Sequence, residues 1–213
     1  MKQIILLILM PFFILDAKNI TLSQEEYNNI LKKQNSSQIS ARLVKYKRLL
    51  SKAKDFSTIK KLSYTNSFYN KILPINDETK YQVDDYWATP KEFLIEGRGD
   101  CEDYAIAKYF TLLSLKVEKN KLFLAVVKVK NATNYHMVLL YIENKNSMPL
   151  VLDNLSFKVV PLNKRPKLKV KFIFNEKDSF ILKNKKIYKK VKVEWGKENK
   201  WENILKRVYE NNE

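Results

Sequence analysis

The chain has 213 residues, 45% of them hydrophobic, and its 40 lysines and arginines outnumber 23 acidic residues for a net charge of +17. That length allows one substantial core, and plentiful aromatics with few glycines exclude wholesale disorder. The charge suggests nucleic-acid binding, yet arginine, the residue suited to bidentate contacts, appears only at Arg42, Arg48, Arg98, Arg165 and Arg207, so we read a solvated lysine surface weakly attractive to anionic envelopes or acidic partners, with no nucleic-acid partner.

Met1-Lys2-Gln3 followed by the apolar run Ile4 to Leu15 has the form of an export signal, with Leu15-Asp16-Ala17 as an imperfect cleavage site. The expectation is a cleaved signal over 1–17 and a periplasmic protein; the alternative is an uncleaved inner-membrane anchor. Ser23-Gln24-Glu25-Glu26 then reads as a helix start, and apolar residues recur at helical spacing from Tyr27 to Leu31 and from Leu43 to Leu50. The polar break Gln34 to Ser37 separates two helices. A third starts near Ser57, in a stretch rich in aromatics and asparagine. Thr89 caps a short helix with Pro90 in its first turn, and a longer helix runs from Cys101 to about Leu115.

Beyond that point the period changes. Leu122–Val129, Tyr135–Ile142, Pro149–Asp153, Val159–Val160, Leu168–Phe172, Phe180–Leu182 and Ile187–Val193 read as antiparallel strands, and Trp201–Tyr209 as a closing helix. Helices first and strands after predict an α+β fold, a helical layer packed on an antiparallel sheet. The expected division is a signal at 1–17, an N-terminal helical extension at 18–60, and one domain at 61–213.

The lone cysteine and the lone histidine carry the chemistry. Two of the three glycines, Gly97 and Gly99, stand just before Cys101, so a sharp turn delivers the thiol to a helix N-terminus. Free amides and the helix dipole there favour the thiolate. In an exported chain one cysteine has no internal disulfide to form. An inert buried cysteine is the bland alternative, and the polar surroundings argue against it. His136 opens one predicted strand and Asp153 closes the next. If those strands pair, the order is nucleophile, base and orienting carboxylate. A histidine with a purely structural role and an aspartate serving only a turn remain open on spacing alone.

The segments Asp85-Tyr86-Trp87-Ala88-Thr89-Pro90, Gly97-Arg98-Gly99-Asp100-Cys101-Glu102-Asp103-Tyr104-Ala105, Tyr135-His136-Met137-Val138-Leu139 and Leu150-Val151-Leu152-Asp153-Asn154 together resemble the bacterial transglutaminase-like cysteine proteinases. The resemblance runs from about Leu62 to Asn175. It implies a papain-like, transglutaminase-like fold with Cys101, His136 and Asp153 as catalytic triad. The best-studied branch of that family cuts large surface adhesins and so releases cells from biofilms. An inner-membrane cyclic-di-GMP receptor holds that branch inactive. An adhesin substrate and such a receptor as inhibitor are therefore expected partners. Acyl transfer of the transglutaminase or amidase type is an alternative, as is a non-catalytic binding module of the same fold.

Asp100, Glu102 and Asp103 surround the thiol, with Asp84 and Asp85 upstream. Carboxylates there stabilise a helix N-terminus, but they also disfavour a thiolate. A hard divalent cation would cancel that penalty. The resemblance implies calcium at Asp100 and Glu102, with Asp103 a further expected ligand. One cysteine and one histidine are too few for a zinc site. Trp87 either walls the substrate cleft or packs in the core.

Overall fold

The computed structural model describes residues 22–75 and 85–210; the expected signal at 1–17 and Asp84 lie outside the described residues. Three helices come first: α1 (Gln24–Leu31), α2 (Ser36–Ala53) and α3 (Thr58–Tyr69). α1 starts with a reciprocal cap, in which the Ser23 hydroxyl accepts from the Glu26 amide and the Glu26 carboxylate accepts from the Ser23 amide. α2 supplies Tyr46, Leu49 and Ala53 to the interior, so these early helices are built into the main core.

A two-residue strand β1 (Leu73–Pro74), a short helix α4 (Pro90–Glu96) and a second two-residue strand β2 (Arg98–Gly99) follow, and β1 pairs with β2 in parallel. This ladder has no hydrophobic period to announce it, and the sequence reading did not include it. Next comes α5 (Cys101–Ser114), buried along most of its length from Glu102 to Leu112. The strands are β3 (Leu122–Val129), β4 (Tyr135–Tyr141), β5 (Leu150–Leu152), β6 (Val160–Pro161), β7 (Leu168–Phe174), β8 (Ser179–Lys183) and β9 (Lys186–Lys190). The chain closes with α6 (Lys200–Tyr209).

The seven strands form one antiparallel sheet in the order β6-β5-β4-β3-β7-β8-β9. Alternation along β3 and β4 divides the side chains between two clusters. Leu122, Leu124, Met137, Leu139 and Tyr141 pack with Ile106, Tyr109 and Phe110 of α5 and with Trp201 and Ile204 of α6. Phe123, Ala125, Val127, Val138 and Leu140 turn the other way, onto a cluster that Phe180, Leu182 and Ile187 of β8 and β9 help to enclose. A second face this well buried without a helix on it requires the sheet to curl around its own side chains. The result is the α+β architecture expected from the sequence, with α5 threaded through the main core.

Candidate active site

Everything that precedes Cys101 places it. The Thr89 side chain caps α4, and Pro90 sits in its first turn, where the missing N–H costs nothing. α4 ends on Gly97, whose φ of 70° is left-handed. Arg42 reaches over from α2 and donates to the Leu94 and Ile95 carbonyls at 2.7 and 2.8 Å. At Gly99 a Cβ would lie 2.3 Å from Asp103 Oδ2 and 2.8 Å from Phe93 Cε2, so only hydrogen fits. The chain thus turns sharply into α5, and Cys101 is its first residue. Asp100 occupies the N-cap without its side chain capping the first turn.

Strand β4 meets the thiol from the other side. The Met137 amide donates to Cys101 Sγ at 3.3 Å, which seats the sulfur beside His136. In the β4–β5 register Leu139 faces Leu152. Asp153 follows directly on the end of β5, on the side towards the start of β4 where His136 lies. The ring nitrogen His136 Nε2 lies 2.9 Å from Asp153 Oδ1, leaving Nδ1 as the nitrogen available for proton transfer. Asp153 is fully buried, and it also accepts from the Leu155 amide at 3.0 Å and from Arg165. Burial opposes its ionisation. The His136 and Leu155 hydrogen bonds and the charges of His136 and Arg165 outweigh that cost and hold the carboxyl below its usual range.

Cys101, His136, Trp87, Asp85, Asp100, Glu102, Asn134 and Asn154 all line one groove of about 630 Å³. Within it the Cys101 thiol donates to Glu102 Oε2 at 3.1 Å. Burial pushes the thiol pKa far up, the charges of Glu102 and Asp100 add to the rise, and the Met137 amide offsets part of it. Glu102 is itself held well above the usual carboxylate range by burial, by the charge of Asp100 and by a carboxyl–carboxyl hydrogen bond with Asp85. Three acidic side chains therefore crowd the nucleophile, and their mutual repulsion keeps protons on the site.

Such oxygen donors suit a hard cation. Asp85, Asp100 and Glu102 fit one by their chemistry, although among the described residues no three ligands are already gathered into a closed set. Asp103 differs. Its Oδ1 accepts from the Ala88 amide at 2.8 Å, and its side chain packs fully buried against Gly99. Asp103 thus pins the Trp87–Ala88 segment to α5 and is not among the residues that line the groove. Trp87 does both things foreseen for it, since it lines the groove and packs in the main cluster. Its Nε1 donates to Asp85 Oδ1 at 2.9 Å.

Several supporting residues escaped the sequence reading. Asn70 Nδ2 donates to the carbonyls of Asp153 and Ser156 at 2.7 and 2.8 Å, and Asn66 Nδ2 to those of Ser156 and Phe157 at 2.8 and 3.2 Å. Two asparagines one turn apart, Asn66 on α3 and Asn70 at its C-cap, thereby clamp the loop that carries Asp153. Their spacing was visible in the asparagine-rich stretch, but their target was not. From α6, Arg207 bonds Tyr86, Glu92 and the Trp87 carbonyl, and Lys200 bonds Asp85. The closing helix thus holds the Asp85–Trp87 wall of the groove.

A family model described as bacterial transglutaminase-like cysteine proteinase matches residues 31–179. The chain belongs to that family. Among solved structures, EGTA-treated LapG of Legionella pneumophila aligns at 30% identity and a TM-score of 0.71, covering 85% of this chain and 95% of that one. LapG of the same organism without a stated treatment gives 30% and 0.69, covering 85% and 94%, and the calcium-bound form gives 29% and 0.69, covering 88% and 99%. No curated protein matches the chain. Family membership and this similarity make the transglutaminase-like proteinase a cysteine peptidase with the fold of that family.

Proposed function

We propose that this proteinase is a calcium-dependent endopeptidase that uses Cys101, His136 and Asp153 as its triad and cleaves a large surface adhesin. The observation that carries the triad is that a helix-terminal thiol and the His136 imidazole line one groove, with the buried Asp153 carboxylate bonded to that imidazole from behind. In the reaction His136 Nδ1 takes the Cys101 proton, and the sulfur forms a bond to the scissile carbonyl carbon. Amides of the first turn of α5 receive the oxyanion. The imidazolium then protonates the departing amine as the C–N bond breaks. Water delivered through the same imidazole hydrolyses the thioester, and the thiol is restored. Asp153 fixes the tautomer throughout.

Asp100 and Glu102, with Asp85, would hold calcium, whose charge offsets the carboxylates that otherwise keep Cys101 protonated. The crowding of these acids around the thiol supports this reading, as does the existence of calcium-bound and EGTA-treated forms of the Legionella relative. The adhesin substrate and an inhibitory cyclic-di-GMP receptor follow from the sequence resemblance, periplasmic export follows from the signal-like pattern of residues 1–17, and all belong to the same proposal.

The test incubates purified protein with the outer-membrane fraction of its own organism, with calcium or with EGTA. New N-termini in a large surface protein should appear with calcium, and both EGTA and Cys101→Ala should abolish them. Isopeptide crosslinks without new termini would instead establish acyl transfer. Undiminished cleavage in EGTA would remove the calcium requirement.

A further inference from the structure

The positive charge of this protein is concentrated. Residues 164–192 hold twelve basic residues and two acidic ones, which accounts for ten of the seventeen net charges. Eleven of the twelve are lysines, and all eleven are exposed. Among the described residues only Lys190 meets an acid, Asp178. The one arginine, Arg165, is committed to Asp153. Lys164 and Lys167 lie in the β6–β7 connection; the other nine lie on β7, β8, β9 and the segments between and after them, on the part of the sheet away from β5 and β6.

The β8–β9 hairpin shows the arrangement most clearly. Its register pairs Lys183 with Lys186 and Ile181 with Lys189, while Leu182 and Ile187 face each other on the opposite, packed side. One face of the ribbon therefore presents Ile181, Lys183, Lys186 and Lys189 together. The turn is Asn184-Lys185, with φ values of 50° and 62°. A left-handed second turn position favours glycine, and a lysine stands there at a conformational cost. Tyr188, 63% exposed, lies beneath Lys183, whose Nζ is 5.0 Å from the ring centroid. Charging an edge strand guards it against pairing, but a few lysines suffice for that.

We propose that this lysine ribbon docks the protein on an anionic phospholipid bilayer. Lysine is a strongly hydrated point charge that needs no particular ligand geometry, which suits a fluid layer of headgroups. A nucleic-acid or phosphopeptide site would call for arginine forks. Tyr188 and Ile181 supply what an interface accepts between the charges, a phenol and a short apolar side chain. None of these lysines lines the active-site groove, so the surface leaves that groove open to a polypeptide. No helix among the described residues is long and apolar enough to cross a membrane. Docking through the ribbon is independent of whether the peptidase assignment holds.

The experiment compares partitioning of the full chain onto phosphatidylglycerol-containing and pure phosphatidylcholine vesicles by co-sedimentation. Taking the ratio of the two cancels any contribution from the apolar N-terminal segment. At about one kcal/mol per lysine near an anionic surface, each lysine is worth about fivefold. The combined variant Lys183→Gln, Lys186→Gln, Lys189→Gln should thus lower the ratio by about a hundredfold. A matched variant on the helical side, Lys32→Gln, Lys45→Gln, Lys47→Gln, carries the same net charge and should lower it less than about threefold. High salt should bring the wild-type ratio close to one. Equal loss in the two variants would reduce the effect to net charge and overturn the proposal. A ratio near one at low salt would do the same. Tighter, ribbon-dependent binding to soluble polyglutamate than to the anionic vesicles would replace the bilayer with an acidic polypeptide.

Discussion

At the β4–β5 end of the sheet, the carboxylate of Asp153 is fully buried and bonded to His136, Leu155 and Arg165, whereas the β7–β9 end presents nine exposed lysines of which one meets an acid. The first region uses charge at close range, where burial makes each partner matter. The second uses charge collectively, where water and salt make each residue nearly replaceable. A single substitution should therefore be severe at one end and almost silent at the other.

Asp153→Asn tests the buried end most directly. It keeps the shape but loses the charge that orients His136, and peptidase activity should fall by about 10³-fold or more in kcat. Activity within tenfold of wild type would show that the His136–Asp153 contact is structural only. Circular dichroism of the variant would establish that the fold survives.

Lys108 sharpens the same contrast. This lysine is fully buried on α5, its Nζ has no hydrogen-bond partner among the described residues, and the ring of Tyr104 lies 5.6 Å from it. Burial outweighs the attraction of Asp153 and brings the pKa of its amine down to about 7 from the ordinary 10.5. The unfolded chain then binds more protons than the folded one between those pH values. The stability tied to this group is complete above the unfolded pKa and is lost as pH falls through the folded one. Lys108→Met removes that loss, so urea melts should show its advantage over wild type growing by about 2–4 kcal/mol as pH drops from 10 to 7. A pH-independent difference would mean that the amine is charged and solvated in the fold.

Asn70→Ala removes two hydrogen bonds to the carbonyls of the Asp153 loop. Stability should fall by about 1–3 kcal/mol, and kcat should fall more than KM rises. Unchanged kcat would show that β5, Arg165 and Asn66 fix the loop without Asn70. The smallest effect belongs to the lysine ribbon. Combined Lys183→Gln, Lys186→Gln and Lys189→Gln should leave the thermal midpoint and the cleavage of soluble substrate unchanged, with stability within about 0.5 kcal/mol.

The two regions also differed in legibility. The elements followed local patterns closely, because capping at Ser23 and Thr89 and alternation along β3 and β4 are short-range signals. Cys101 and His136 could be nominated because each is the one residue of its type in the chain, and Asp153 because it closes the predicted strand after that of His136. Asp103 could not be told from Asp100 and Glu102 in sequence, and only its contacts with Ala88 and Gly99 reveal a packing role. Arg165 and the Asn66–Asn70 pair carried no local mark of their target, since their partners lie 12 and more than 80 residues away. The bilayer-facing reading of the lysines likewise needed the β8–β9 register, which decides which of them share a face.

By itself the sequence determined where most helices and strands lie, that a glycine-framed turn delivers one thiol to a helix, and which imidazole and carboxylate were available to it. Those follow from backbone sterics and side-chain chemistry within a few residues. Tertiary structure alone decided which carboxylates face the nucleophile, what holds Asp153 ionised, and which lysines form a common surface. Each of those depends on distances between segments remote in the chain, and electrostatic energy at a buried site depends on such distances and on how completely water is excluded.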